Sequence, residues 1–245
     1  MPRSADAPAR WAAGLAAVER WILPAGCLLC DGPVPAREAD ALVCGLCRAR
    51  WRPVPDPLCA RCGQPAFGDL ECRICAAWPA GGLTRVRSAV WLSGGAHRAV
   101  HLLKYDGWWR VAEAMAEAMA ALEPLTGRVS LIPVPLGARR RRSRGYNQSE
   151  RIAAALGTRL GHTVRTDLLV RGRETTTQTA LTPDERRANV AGAFAAARAV
   201  SGRVVLVDDV FTTGATLVSA GAALAAAGAT SVEAVTFGRA VEPVG

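Results

Sequence analysis

Apolar and polar positions alternate over residues 86–92 (Val-Arg-Ser-Ala-Val-Trp-Leu), which is the period of a β-strand. Residues 109–122 instead carry apolar side chains at helical spacing and stop before Pro124. Leu131-Ile132-Pro133-Val134-Pro135 predicts a short buried strand that feeds a loop. A helix is predicted over 147–160, capped by Asn147 or Ser149. Strand patterns recur at 163–170, 203–207 and 231–237, with a helix at 215–227 between the last two. Strands alternating with helices predict an α/β fold: a mainly parallel sheet with helices on both faces. Ligands of such sheets sit beyond the carboxyl ends of the strands.

Two other apolar stretches raise the question of export or membrane insertion. Residues 11–18 follow Arg3 and Arg10, but Glu19 and Arg20 interrupt the run, and Pro24 stands where a cleavage site favours an aliphatic residue. Trp11, Leu15, Val18 and Ile22 share one face of an amphipathic helix instead. Residues 210–232 carry no charge, but they are mostly Ala, Gly, Thr and Ser, flanked by Asp208, Asp209 and Glu233. Neither stretch predicts a membrane span, and the expected location is the cytoplasm.

Composition narrows the picture. The chain has 245 residues, half of them apolar and 21% charged, which excludes a disordered chain. Aromatic residues make up only 5%, so the core rests on Ala, Val and Leu. The net charge is +9, and Lys104 is the single lysine among 30 basic residues. Residues 1–80 hold 9 basic and 8 acidic side chains, whereas 81–245 hold 21 and 13. All eight cysteines lie between Cys27 and Cys75. Two regions of different chemistry are therefore expected, a cysteine module over 20–79 and an α/β region over 84–240.

The cysteines form four Cys-x-x-Cys pairs: Cys27/Cys30, Cys44/Cys47, Cys59/Cys62 and Cys72/Cys75. Two thiolates at this spacing face one metal across a tight turn, and zinc takes four in a tetrahedron. Four pairs therefore make two closed structural zinc sites with no thiol left over. Disulfides would need an oxidising compartment, and a redox motif would be one pair on a strand–helix unit. Sequential pairing, 27/30 with 44/47 and 59/62 with 72/75, is the simplest; a crossed pairing stays open. Gly32 and Gly63 are expected to supply the left-handed turns that end the knuckles.

The most informative stretch is Val204-Val205-Leu206-Val207-Asp208-Asp209-Val210-Phe211-Thr212-Thr213-Gly214-Ala215-Thr216. A buried strand leads to two adjacent carboxylates and then to a small-residue turn before a helix. The turn offers unpaired backbone N–H groups and the positive end of the helix dipole, which favour a phosphate. Thr212, Thr213 and Thr216 add hydroxyl donors, and Gly214 lets a ligand approach the backbone. Asp208 and Asp209 are acceptors for two sugar hydroxyls. A phosphate on one side and a diol on the other describe a ribose 5-phosphate. Neither a Walker loop nor a dinucleotide-binding glycine fingerprint is present.

This stretch resembles the phosphoribosyl pyrophosphate (PRPP) motif of type I phosphoribosyltransferases. Other segments narrow the resemblance to the ComF family of competence-associated proteins. They are Leu23-Pro24 before Cys27, Leu103-Lys104-Tyr105, Pro133-Val134-Pro135 and Arg144-Gly145-Tyr146-Asn147-Gln148. So is the run Gln178-x-x-Leu181-x4-Arg186-x-x-Asn189-Val190-x-Gly192-Ala193-Phe194. The resemblance covers roughly residues 20–240 and includes the double Cys-x-x-Cys ribbon.

The resemblance implies that Asp208 and Asp209 bind the ribose hydroxyls and that Thr212, Thr213, Gly214, Ala215 and Thr216 hold the 5-phosphate. The loop after Pro135 would meet the pyrophosphate, with magnesium bridging pyrophosphate and ribose oxygens. The 171–192 segment is the expected closing loop, with Gln178, Arg186 and Asn189 facing the ligand. Arg139, Arg140, Arg141, Arg142 and Arg144 put five arginines in six positions, read as one loop. Some would clamp the pyrophosphate, Arg144 above all, and others would track a nucleic-acid backbone. Lys104 is a further candidate at the ligand. His97, His101 and His162 read as ordinary polar residues, the first two i, i+4 on a helix.

Three functions are compatible with this reading. One is a PRPP-dependent transferase with an unidentified acceptor. Another is a PRPP or nucleotide sensor without turnover. The third is a single-stranded DNA-binding adaptor working with competence or recombination proteins, through the zinc ribbons and the arginine run.

Overall fold

The strand Ser231–Arg239 is buried from its second residue to its last, so both faces of the sheet around it are covered. In the computed structural model, which describes residues 26–38, 41–66, 72–172 and 192–240, it lies inside a five-stranded parallel sheet. The strands of the chain are β1 (Leu83–Trp91), β2 (Ser130–Pro133), β3 (Thr163–Val164), β4 (Leu169–Arg171), β5 (Phe194–Ala196), β6 (Arg203–Phe211) and β7 (Ser231–Arg239). The sheet order is β1-β7-β6-β2-β3, all parallel, while β4 and β5 form a separate antiparallel pair. The helices are α1 (Gly45–Ala49), α2 (Gly94–Tyr105), α3 (Val111–Met119), α4 (Ala138–Arg144), α5 (Gln148–Leu160) and α6 (Ala215–Ala226).

Strand periodicity sorts the two faces. Val204 and Leu206 of β6 join a cluster with Leu217, Ala220 and Leu224 of α6 and with Phe194 of β5. Val205 and Val207 are buried on the alternate face. That face is the side of α3 and α5, which pack on one another and on the sheet through Met115, Met119, Ile152 and Leu156. The mainly parallel α/β architecture expected from the sequence is the one observed.

Particular elements depart from expectation. The strand expected to end at 207 continues to Phe211, because β7 pairs with it as far as Phe211 opposite Arg239. Asp208 and Asp209 are therefore held in a strand. The stretch 163–170 divides in two: Arg165 forks onto Asp167 at 2.9 and 3.0 Å, and the chain turns from the main sheet towards β5. The arginine run is a helix. Arginine is a good helix former, and Gly145 at φ 81° ends α4 in the left-handed conformation. Helix α2 buries Ala96, Ala99, Val100, Leu102 and Leu103.

The chain forms two compact units, one up to Arg50 and the other from Trp51. In the first, the Cys27 knuckle closes with Cys27 N–H donating to Gly32 O (2.8 Å) and Asp31 N–H to Cys27 O (2.8 Å). Asp31, at φ 58°, takes the left-handed position there, whereas Gly32 does not; aspartate is among the few residues that tolerate it. The Glu38 carboxylate accepts from the first N–H of α1 at Gly45 (2.8 Å). In the second unit, Gly63 does adopt the left-handed turn, at φ 69°.

The second cysteine pairs are continuous with the sheet's core. Cys62, Cys75 and Trp78 belong to the same buried cluster as β1, β6 and α6. Val86 N–H of β1 donates to Arg61 O (2.7 Å). Arg239, at the end of β7, is buried; it donates to Cys62 O (2.9 Å) and Gln64 Oε1 (3.0 Å) and lies 4.2 Å over the Phe211 ring.

Among the described residues no helix is long and apolar enough to cross a membrane. The helix expected around residues 11–22 lies outside the described residues, as does most of the 171–192 segment, Gln178, Arg186 and Asn189 included.

Candidate functional site

Beyond Pro133, opposite Val207, strand β2 leaves the sheet while β6 continues beside β7. The chain also reverses its direction of progress across the sheet here, since β3 lies on the far side of β2 from β6. A crevice opens at this kind of point, outside the carboxyl ends of the strands. It is a cavity of about 630 Å³, whose walls include Lys104, Tyr105, Arg144, Asp208, Asp209 and the whole segment Thr212–Leu217.

Asp208 and Asp209 stand at its floor. Ser149, in the first turn of α5, donates to Asp208 Oδ1 (2.8 Å), as does the Asp209 N–H (2.9 Å). Burial pushes the Asp208 carboxyl up to about 7, and the neighbouring Asp209 charge adds to this against the opposing pull of Ser149 and Lys104. Asp209 is buried, and Lys104 Nζ lies 2.6 Å from its Oδ2. Burial works to lower the lysine's pKa, but the Asp209 charge more than offsets it, so Lys104 stays firmly charged.

The loop after β6 is shaped by Gly214, which caps α6 in a left-handed conformation at φ 78°. A Cβ there would stand 2.5 Å from Trp78 Cζ2 and 2.9 Å from Phe211 Cε2. Only glycine fits both the turn and the space. Thr213 Oγ1 accepts from the Ala215 N–H at 3.5 Å. The N-terminal amides of α6 therefore open on the cavity, where the helix dipole favours an anion.

The opposite wall comes from the loop after β2. Asn147 caps α5 by accepting from the Ser149 N–H (3.0 Å) and ties that loop by donating to Val134 O (2.9 Å). Arg144 donates to Gln148 Oε1 and lies 5.6 Å over the Tyr105 ring, while the Tyr146 hydroxyl donates to Leu103 O. Both tyrosine contacts join α2, which carries Lys104, to the start of α5.

The cysteines form two clusters, Cys27/Cys30/Cys44/Cys47 and Cys59/Cys62/Cys72/Cys75, each with all sulfurs within 4.8 Å of one another. Pairing is thus sequential. Cys30–Cys44, Cys59–Cys75 and Cys62–Cys72 sulfurs are 3.9, 3.6 and 3.5 Å apart. Zinc–sulfur bonds of about 2.3 Å give a tetrahedron with edges of about 3.8 Å, whereas a disulfide is about 2.05 Å. Both clusters fit zinc. Burial works to raise the Cys27 and Cys59 thiols, but N–H donors from Cys44, Leu29 and Cys30, and from Cys62 and Arg61, bring them down to about 7. Burial and the neighbouring sulfurs push Cys47, Cys62 and Cys75 the other way, so of these five it is Cys27 and Cys59 that are ready thiolates without metal.

Residues 18–76 match the double zinc ribbon domain, and residues 144–241 match the phosphoribosyl transferase domain. The DNA utilization protein YhgH of Escherichia coli O157:H7 is 31% identical over 221 residues, which cover 86% of this chain and 95% of that protein. This chain belongs to the ComF family. A second relative in it, the competence protein ComFC of Bacillus subtilis (strain 168), is 26% identical over 219 residues, covering 78% of this chain and 85% of its own. Competence protein F of Haemophilus influenzae is 39% identical over 92 residues, 36% of this chain and 40% of its own.

In this ComF-family chain the structure gathers Lys104, Arg140, Arg144, Asp208, Asp209 and the 212–216 loop around one cavity. Arg139 is exposed outside the cavity lining, and Lys104 pairs with Asp209 within it. Ser149, Arg171 and Tyr105 belong to the site as well, the last two as part of its wall. Neither Tyr105 nor Ser149 was expected at the site, although Tyr105 sits in Leu103-Lys104-Tyr105 and Ser149 directly follows the Arg-Gly-Tyr-Asn-Gln segment, a signal that could have found both. Arg171 is the first residue of the segment expected to close over the ligand, though it is not itself singled out by the sequence.

Proposed function

We propose that this chain binds PRPP with magnesium in the 630 Å³ cavity and transfers its phosphoribosyl group to an acceptor. One observation supports the reading above others: an acidic pair and a glycine-capped helix N-terminus face the same cavity, one suited to a diol and the other to a phosphate. Asp208 and Asp209 accept from the ribose 2′- and 3′-hydroxyls. The Thr212–Thr216 backbone and hydroxyls hold the 5-phosphate. Arg140 and Arg144 meet the pyrophosphate, which guanidinium groups bind bidentately.

The two carboxylates offer the hard oxygen donors that magnesium prefers. The Lys104 ammonium beside Asp209 marks this corner as one that accepts a positive charge. Asp208 and Asp209 would hold magnesium arriving with PRPP, which would supply neutralisation of charge on the pyrophosphate. Bond breaking at C1 leaves a cationic sugar, so the work of the protein is positioning and charge stabilisation. The Asp208–Asp209 pair fixes the ring from below, and the α6 amides fix its phosphate end.

The E. coli relative is named for DNA utilization and the B. subtilis relative for competence. We carry that link to this chain as a cytoplasmic role in handling DNA.

The reading is tested by thermal unfolding. PRPP with magnesium at about 100 times its Kd adds about 2.7 kcal/mol, which raises Tm by roughly 5–10 °C in a protein of this size. Asp208→Asn with Asp209→Asn removes the rise. No rise in the wild type overturns the proposal. Pyrophosphate release across a panel of nucleobases then distinguishes turnover from binding alone.

A further inference from the structure

Lys104 is the single lysine among 30 basic residues, and it stands against the acidic pair. The two kinds of cation are not interchangeable. A guanidinium is a broad planar fork, whereas an ammonium is a compact point charge on a flexible stem. Of the two, the ammonium comes closer to a metal cation in shape. A chain built on arginine keeps a lysine at the corner where the carboxylates would hold a metal.

The backbone that carries Lys104 is held on both sides. The Tyr146 hydroxyl donates to Leu103 O, and Arg144 lies 5.6 Å over the Tyr105 ring. The Lys104 side chain is largely buried, with Nζ 2.6 Å from Oδ2 of Asp209. Asp209 is 4% exposed, so salt does little to screen the pair. Ser149 and the Asp209 N–H both donate to Oδ1 of Asp208. One carboxylate of the pair is thus met by a hydroxyl and an amide, and the other by a mobile cation.

We propose that Lys104 is a resident cation that closes the acidic pair to free divalent metal and yields it only when PRPP enters. The inference rests on the phosphoribosyl reading. Without ligand, the ammonium supplies the positive charge that a buried carboxylate requires. A divalent cation at the same carboxylate would stand beside a like charge a few ångströms away. Entering pyrophosphate offers the ammonium another anion within the cavity that Lys104 lines. The stem then swings while the pinned backbone stays. Charge balances in the exchange: Asp209 gives up the ammonium for metal arriving with PRPP, and the ammonium passes to the pyrophosphate. An arginine here would grip Asp209 through two parallel N–H bonds and release it less readily. Lys104 is thus a positioning residue that sets the order of loading.

The test is Mn2+ binding by the full chain purified with its zinc, read by electron paramagnetic resonance. Mn2+ stands in for magnesium and prefers oxygen ligands to thiolates, so the zinc clusters do not take it. Wild type is expected to bind Mn2+ weakly alone and one ion tightly with PRPP. Lys104→Met is expected to bind one ion without PRPP, roughly tenfold or more tighter than wild type, because the like charge is gone. Adding Asp209→Asn to Lys104→Met removes that ion, which places it at the pair. Lys104→Arg keeps the weak binding of wild type. A lysine that only steadied the fold would lower Tm on removal and leave Mn2+ affinity where it was. Should Lys104→Met not fold, Lys104→Gln, whose amide still donates to Asp209, is measured with the same expectation. Equal Mn2+ affinity in wild type and variant overturns the proposal. A wild type with no thermal rise on adding PRPP overturns the phosphoribosyl reading and this one together, whereas a normal rise beside equal Mn2+ affinities overturns this one alone.

Discussion

Asp208 and Asp209 are adjacent acids in one strand, yet they face different partners. Asp209 has an ammonium 2.6 Å away, whereas Asp208 has a hydroxyl and an amide. Burial and its neighbour's charge bring Asp208 to about 7 from 3.8. A carboxyl whose pKa is higher in the folded state stabilises the fold fully below the unfolded value. That contribution is lost as pH rises from about 4 through about 7. Asp208→Asn is therefore expected to flatten the fall of Tm between pH 5 and pH 8, and to raise Tm by several degrees at pH 8. Calorimetry across that range checks it; an unchanged slope would show that Asp208 is already ionised at pH 5. In the proposed site, a ribose hydroxyl would gain a stronger acceptor when Asp208 ionises. PRPP is accordingly expected to bind more tightly at pH 8 than at pH 6, with the midpoint near 7 in wild type.

At the scale of elements, the segment β6–turn–α6 joins the two ends of the cavity, and Gly214 is its hinge point. Gly214→Ala forces a left-handed alanine, costing about 1–2 kcal/mol, and pushes a methyl into Trp78 and Phe211. Gly202, at φ 76° with nothing within 4 Å of an added Cβ, reports the strain alone. Gly202→Ala is expected to lower Tm by a few degrees and keep the PRPP response, while Gly214→Ala lowers Tm further and loses it. Equal effects of the two would deny the close contact any role.

This segment was legible in the sequence because its parts are local: an apolar run, an acidic pair, a glycine before a helix. Cysteine spacing made sequential pairing the simplest choice but left a crossed one open, and the two clusters decide it. The arginine helix was not legible, since like charges at i and i+4 argue against a helix and only the flanking Gly137 and Gly145 set its ends. The extension of β6 to Phe211 depends on β7, and the Lys104–Asp209 pair joins residues 105 positions apart. Contacts of that kind have no signature in a local pattern.

At the scale of the whole molecule, the double zinc ribbon does not behave as one block. The first cysteine cluster lies in the unit up to Arg50 and the second in the unit that holds the sheet. Cys62 is fully buried in the same cluster as Leu83, Val86 and Phe211. Arg239 connects it physically to the ligand loop, bonding Cys62 O on one side and covering the Phe211 ring on the other, and Phe211 touches Gly214's position. Cys62, Trp78 and Phe211 pack as one core, so zinc at the second cluster is expected to hold the cavity wall. Wild type is expected to carry two zinc ions per chain, and Cys44→Ser or Cys62→Ser about one. Cys44→Ser is expected to leave the main unfolding transition within about 2 °C and the PRPP response intact. Cys62→Ser is expected to lower that transition sharply and to abolish the response, since an unliganded knuckle frees Arg239 and the rings beneath the loop. Metal analysis paired with thermal unfolding of the two variants separates the roles; equal losses in both would mean that the two clusters stabilise the sheet together.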